Sequence, residues 1–268
     1  MSDSMTQSVP AVERAVSILK LIAKSEGGLT VSRLARHLAF PKSSVHRIVL
    51  TLGRCGFLGL DSDSGRYRLG LQLFGLANMA LSGISLRGQA TPFLHRLMQD
   101  TGLTVHMAVF EHDGALLIEK VQPPGRLRLA TWVGKRMDLH CTALGKVLLA
   151  YRPEPEIDDL INKHGLLRHN DNTIASAKKL KEDLTLVVRL GYAIDDEEEE
   201  IGIRCVGVPV FDSQFKVVAA ISFSGTTGQI RSESLVAMAE QLKQTAKRIS
   251  EQLGDQPQIA VLSQKAGL

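Results

Sequence analysis

Between Gly27 and Leu60 the chain has no aspartate and no glutamate, yet Arg33, Arg36, Lys42, Arg47 and Arg54 all fall there. A solvated basic face is the plain reading of such a stretch. The missing acids favour a surface pressed against phosphates. Cysteine is scarce: Cys55, Cys141 and Cys205 are too few and too scattered for a disulfide framework, and no CxxC pair is there to hold a structural zinc. No apolar run approaches the roughly 18 residues of a spanning helix, and MSDSMTQSVP lacks the apolar centre of a signal peptide. A cytoplasmic protein with reduced thiols and no membrane partner is expected. GxSxG, a P-loop, an internal repeat and a long low-complexity segment are absent too.

What is present is ordinary in bulk and uneven in place. The 268 residues suffice for two domains or one large one, and 44% hydrophobic with 22% charged residues is usual for a globular chain. Residues 1–85 hold ten Lys/Arg against five Asp/Glu, a net of +5. The remainder holds 22 against 23, a net of −1. The positive excess therefore sits in the first third.

That third has helical periodicity. The spacing predicts a helix over 11–24, with Val12, Ala15, Val16, Leu19, Ile22 and Ala23 on its apolar face. Gly27-Gly28 ends it. Thr30 is placed to cap a second helix that buries Val31, Leu34, Ala35 and Leu38. After a short turn, Pro41 suits the first turn of a third helix that buries Val45, Ile48, Val49 and Leu52. The other faces of that helix carry Lys42, Ser43, Ser44, His46, Arg47, Thr51 and Arg54. Two helices joined by a tight turn, the second basic and rich in hydroxyls, form a helix-turn-helix pattern. The third helix is expected in the major groove, with Ser43 and Ser44 on phosphates or base edges and Arg47 forking onto guanine. Residues 57–60 and 66–69, joined by DSDSG, read as a β-hairpin. A hairpin there is the wing of a winged helix, with Arg66 and Arg68 toward DNA and Asp61 and Asp63 in the turn.

Residues 71–85 form an apolar helical segment with Leu73, Phe74, Ala77, Ala80, Leu81 and Ile84 in a stripe. It is expected as an interdomain helix and dimer contact. Beyond it, a helix stopped by Gly102 leads to strands at 105–110 and 115–121. Further strands are expected at 127–131, 192–194, 204–210 and 217–224, and helices near 143–150, 154–164, 176–190 and 232–253. This mixture predicts an α+β domain with a mainly antiparallel sheet. Alternation puts Ser222 and Ser224 on one strand face. No catalytic residue is assigned, although His140, Cys141, Asp195 and Cys205 leave a Cys-dependent enzyme of small acids as a rival. His106, His112, His140 and the acidic run 195–200 leave metal binding open, but no metal site and no cofactor is expected.

Three segments together resemble the IclR family of bacterial transcription regulators, over about residues 9–254. They are PKSSVHRIVLTLGRCGFL with GRYRLG, LHCTALGKVLLA at 139–150, and GYAIDDEEEEIGIRCVGVPVFD at 191–212 continuing to AAISFSG. The resemblance implies a winged helix-turn-helix DNA-binding domain (9–70), a linker helix (71–85), a GAF-like effector domain (86–254) and a flexible tail (255–268). It implies a double-stranded DNA operator, a small organic acid effector, a homodimer or dimer of dimers, and control of transcription by repression, with activation of a catabolic operon as the alternative. DNA contacts are expected from Arg33, Lys42, Ser43, Ser44, His46, Arg47, Arg54, Arg66 and Arg68. The effector carboxylate is expected at the backbone of Ala143 and Leu144. The pocket is expected to include Asp195, Cys205, Ser222 and Ser224, under a lid of Leu129 and Met137, with Trp132 between them and Arg126 and Arg128 nearby.

Overall fold

The computed structural model describes residues 9–82, 85–125 and 129–254. The chain divides into two compact units, 1–83 and 84–268.

In the first unit, helix α1 (Pro10–Ala23) is followed by α2 (Val31–Leu38), α3 (Lys42–Arg54), the hairpin β1 (Leu58–Asp61) and β2 (Arg66–Leu69), and α4 (Gln72–Ser82). The Thr30 hydroxyl accepts from the Arg33 N–H at 3.4 Å and starts α2. Ala39 takes a left-handed φ of 53°, which turns the chain tightly into α3. Pro41 stands just before α3 as its N-cap, not inside its first turn. The hairpin is tied back to the loop before α2 by Leu29 and Tyr67, which exchange N–H···O bonds at 3.1 and 2.8 Å.

The core of this unit gathers Ile18, Ile22, Leu34, Val45, Val49, Leu58 and Tyr67. The buried face of α1 is therefore rotated from the expected one. Ile18 is its centre, whereas Val12 and Val16 lie on the surface. Apolar periodicity does not report burial there: Arg14 of the same turns, and not Val12 or Val16, reaches α3. On α4, Leu71 just before it, Phe74, Leu76 and Met79 are exposed. Ile84, the last residue of the expected stripe, lies outside the described residues.

In the second unit, α5 (Ser85–Thr101) precedes β3 (Thr104–Glu111), β4 (Gly114–Val121) and β5 (Arg136–Met137). Then come α6 (Ala143–Ala150), α7 (Glu154–His164), α8 (Ala177–Leu190), β6 (Ala193–Asp196), β7 (Ile203–Phe211), β8 (Val217–Thr226) and α9 (Leu235–Gly254). The six strands form one antiparallel sheet in the order β5-β4-β3-β8-β7-β6. Alternation divides β3, β4 and β8 between two cores. Val105, Met107, Val206, Val208, Ile221 and Phe223 pack with α5 and α9. Ala108, Ala193 and Ala220 pack on the opposite side with Leu144, Val147 and Leu148 of α6.

The strand expected at 127–131 is not found where it can be described. Leu127 and Arg128, with Arg126, lie outside the described residues, and Leu129–Thr131 is irregular. The edge of β4 is taken instead by β5, through Ala115↔Met137 and Leu116↔Arg136. The Lys120 ammonium then holds the carbonyls of Leu129 and Thr131 at 3.1 and 2.7 Å, bending that segment over the sheet.

Candidate nucleic-acid interface and ligand pocket

Burial of Val45 and Val49 turns Lys42, Ser43, His46, Arg47, Thr51 and Arg54 of α3 outward, and Arg33 of α2 is exposed as well. Ser44 is half-buried because its hydroxyl accepts from the Arg14 guanidinium of α1 at 3.3 Å. Arg14 also lies over the Phe40 ring at 5.5 Å. Sequence reading missed Arg14, since it precedes the acid-free stretch and only the fold brings it to the start of α3.

On the wing, Tyr67 is buried, Arg66 is half-buried and Arg68 is exposed. Arg68 is nevertheless paired with Asp61 at 2.9 Å. Asp61 is thus more than a turn residue. Its carboxylate accepts the N–H groups of Asp63 and Ser64, both at 3.2 Å. The bond from Ser64, then those from Arg68 and Asp63, keep it below the usual carboxylate range. Arg68 therefore offers less free charge to a phosphate than Arg66 does.

In the second unit, α6 starts directly on the sheet. A Cβ at Gly207 of β7 would stand 3.0 Å from the Ala143 carbonyl oxygen. A Cβ at Gly145 would stand 2.1 Å from the Asp138 carbonyl oxygen, so only glycine fits there. The Thr142 hydroxyl accepts the Gly145 N–H at 3.0 Å and donates to the Asp138 carbonyl at 2.6 Å. The Lys146 N–H reaches the Thr142 carbonyl. The N–H groups of Ala143 and Leu144 are then the ones the helix itself does not satisfy.

A cavity of about 50 Å3 opens at this helix start. At roughly 10–15 Å3 per water-sized position, it takes about four such positions. All eight expected positions line it: Leu129, Met137, Ala143, Leu144, Asp195, Cys205, Ser222 and Ser224. Strand register explains the meeting. Asp195 pairs with Cys205 and Cys205 with Ser224, while Gly207 pairs with Ser222 and Ser222 with His106. The sequence does not assign His106, Ala130, Thr131, Lys135, Thr142, Glu199, Glu200 and Ile203 to the pocket, yet they also line the cavity. His106 sits in an expected alternating strand, but only the pairing of β3 with β8 shows which face that is.

The polar wall mixes neutral groups with the acids Asp195, Glu199 and Glu200 and the ammonium of Lys135. Burial, with Lys120 and Lys135 nearby, lowers the His106 pKa to about 3. Its ring nitrogens meet Ser224 Oγ at 3.1 Å and Thr131 Oγ1 at 2.8 Å. Burial pushes the Asp195 carboxyl up to about 7, and Glu198 and Glu199 add to this, against the Glu198 N–H and Lys146. Asp195 Oδ1 accepts from the Glu198 N–H at 2.8 Å. Burial also pushes up the thiols of Cys141 and Cys205, with acids nearby reinforcing it. Both are held protonated, the reverse of an activated nucleophile. The open N–H groups of α6 attract an anion, whereas the Lys135 ammonium is already shared by Glu199 at 3.4 Å and the Ala130 carbonyl at 3.1 Å.

Beside the pocket, Asp138, Cys141 and His169 bring a carboxylate oxygen, a sulfur and a ring nitrogen within 4.8 Å of one another. This group combines residues that the sequence reading did not join. No described helix is long and apolar enough to cross a membrane.

A basic helix-turn-helix with a wing, joined to a domain with a ligand-sized polar cavity, defines a ligand-responsive DNA-binding protein. Family models agree: the IclR helix-turn-helix domain matches residues 11–62 and the C-terminal domain of the bacterial transcriptional regulator IclR matches 78–251. The chain belongs to the IclR family and is a DNA-binding transcription regulator. It is 33% identical over 255 residues to the HTH-type transcriptional repressor AllR of Klebsiella pneumoniae, spanning 95% of this chain and 94% of AllR. Among solved structures, it resembles the Thermotoga maritima IclR, with a TM-score of 0.74, 33% identity, and 91% and 99% of the two chains covered. It also resembles an IclR homologue from Microbacterium hydrocarbonoxydans complexed with 4-hydroxybenzoate, with a TM-score of 0.80, 25% identity, and 91% and 98% covered.

Proposed function

We propose that the protein is a cytoplasmic repressor whose hold on a two-fold DNA operator is set by a compact organic acid in the cavity of the second unit. Residues 9–70 bind DNA, 71–85 link, and 86–254 sense. Lys42, Ser43, His46 and Arg47 of α3 enter the major groove, with Arg33, Ser44 and Arg54 beside them and Arg66 and Arg68 on the wing. The working unit is a homodimer or a dimer of dimers, because two-fold operators are read by two-fold proteins. The exposed apolar side chains of α4 support that reading.

The observation that carries the effector reading is the start of α6. The open N–H groups of Ala143 and Leu144 share one small cavity with Asp195, Ser222, Ser224 and His106. A carboxylate satisfies the helix start and gains from its dipole. The hydroxyls of Ser222 and Ser224, the neutral His106 ring and Asp195 in its protonated form suit a hydroxyl, carbonyl or second oxygen of the same ligand. The bound 4-hydroxybenzoate of the Microbacterium relative supports a carboxylic acid as the ligand class. The volume favours one of only a few heavy atoms. AllR, named a repressor, supports repression as the sign.

The test is calorimetric titration of two- to five-carbon acids into the protein, paired with DNA binding at fixed salt. One acid of the set should bind and shift DNA affinity by about 5–150-fold. Ser222→Leu should remove both effects and leave DNA binding intact. Acid binding that survives Ser222→Leu unchanged would contradict this site.

A further inference from the structure

We propose that Asp138, Cys141 and His169 form a three-ligand site for a thiophilic divalent cation of the zinc type. Asp138 follows β5, Cys141 immediately precedes the cap of α6, and His169 lies in the loop between α7 and α8. His169 Nε2 stands 2.8 Å from Asp138 Oδ2, and Cys141 Sγ stands 4.0 Å from the same oxygen. Metal–ligand bonds of about 2.0–2.3 Å in a tetrahedron separate donors by roughly 3.3–3.8 Å. The three groups therefore need shifts of less than about 1 Å, which side-chain torsions supply.

The donors are also the right kinds. Carboxylate, thiolate and imidazole together select zinc or a neighbouring first-row ion over calcium or magnesium, which prefer all-oxygen shells. Three protein ligands leave a fourth position for water, and His169 and Asp138 are partly exposed, so the site has an entrance. On binding, the Cys141 S–H bond breaks and its proton goes to solvent as the S–metal bond forms. The set then carries two negative charges, which the cation balances.

The loop bearing His169 is held in place. The buried His140 ring bonds the Leu167 carbonyl through Nε2 at 2.9 Å. Asn170 donates to the Glu197 and Glu198 carbonyls, and the Thr173 hydroxyl donates to that of Glu198. These bonds fix the loop and with it the backbone position of His169. Glu198, Glu199 and Asp195 give this corner a negative field that disfavours a bare thiolate and favours a dication. The ligands do not belong to the acid pocket. The cation would clasp the turn that carries Asp138, whose carbonyl holds the cap of α6, onto the neighbouring loop.

The experiment uses tag-free full-length protein stripped with a chelator, then titrated with cobalt(II) and followed by absorbance and metal analysis. One cobalt per chain should bind with a thiolate-to-cobalt charge-transfer band, and zinc should displace it. Cys141→Ser should abolish the band, while Cys205→Ser and Cys55→Ser should keep it. His169→Ala, at a partly exposed position, should lower affinity at least about 10-fold. Zinc should raise the melting temperature of the wild type and not of His169→Ala. Absence of the band, or a band that persists in Cys141→Ser, would overturn the proposal.

Discussion

Lys146 Nζ lies 2.5 Å from Glu198 Oε1, with the lysine side chain 1% exposed. A second carboxylate, Asp183, stands 3.2 Å from the same ammonium. The lysine belongs to α6, Asp183 to α8, and Glu198 to the turn after β6. One buried cation thus ties the helix that bounds the ligand pocket to the acidic turn that also shapes it. Burial opposes the lysine charge, and the two carboxylates outweigh it, so the Lys146 pKa lies above its usual value. Lys146→Met should strand Glu198 and cost about 3–5 kcal/mol in denaturant unfolding of the second unit. The double variant Lys146→Met/Glu198→Gln should recover part of that loss. A single variant as stable as the wild type would show that the pair holds nothing together.

Ligand affinity should depend on pH through Asp195. Its folded pKa of about 7 lies above the ordinary carboxylate value. A neutral Asp195 tolerates a carboxylate nearby and an ionised one repels it. The charged groups facing it are Glu198, Glu199 and Lys146, and His106 stays neutral throughout this range. Acid affinity should therefore fall about 10-fold from pH 6 to pH 8, following the protonated fraction. Asp195→Asn should flatten the profile. The stability linkage has the same sign: with a raised pKa, the contribution of Asp195 is complete at low pH and is lost as pH rises through about 7. A flat profile in the wild type would contradict the assignment.

His106 should not titrate in the physiological range. Its folded pKa of about 3 means the ring is neutral in the native state and gains its proton only on unfolding. Its contribution to stability is present above the unfolded value and is lost as pH falls toward about 3. The imidazole chemical shifts of His106 should stay constant from pH 5 to pH 8. A midpoint near 6.5 for His106 would show a ring open to water.

Arg47→Ala should weaken DNA binding by about 1–3 kcal/mol, with ligand binding unaltered. Arg68→Ala should cost less than Arg66→Ala, because Arg68 already pairs with Asp61. Competition binding at two salt concentrations separates the outcomes. Equal losses would mean that DNA displaces Asp61 from Arg68.

Much of this arrangement was legible in the sequence, for reasons that differ by residue. The helix-turn-helix announces itself through local signals: the Thr30 cap, the stripe of Leu34, Val45 and Val49, and the acids missing around them. The pocket was reached through segments resembling the IclR family, and alternation alone already placed Ser222 beside Ser224. What escaped was non-local. His106 joins the cavity because β3 pairs with β8, Arg14 because α1 crosses the start of α3, and His169 because its loop folds back toward Asp138. The expected strand at 127–131 failed where it can be seen, since apolar alternation there cannot reveal that β5 already occupies the edge of β4. Periodicity likewise misplaced the face of α1, because Val12 and Val16 repeat correctly with no neighbour in this unit to cover them.

The central claim is that one small acid in this cavity sets the affinity of the basic helix for a particular DNA site. The most direct measurement is selection of fragmented genomic DNA of the source organism by the purified protein at moderate salt, with and without a panel of small acids, and sequencing of what is retained. The account predicts enrichment of a roughly palindromic site, loss of it for Arg47→Ala, and a change in retention with one acid that Ser222→Leu no longer shows. Retention no greater than that of a variant lacking residues 9–70, under every acid tested, would contradict it.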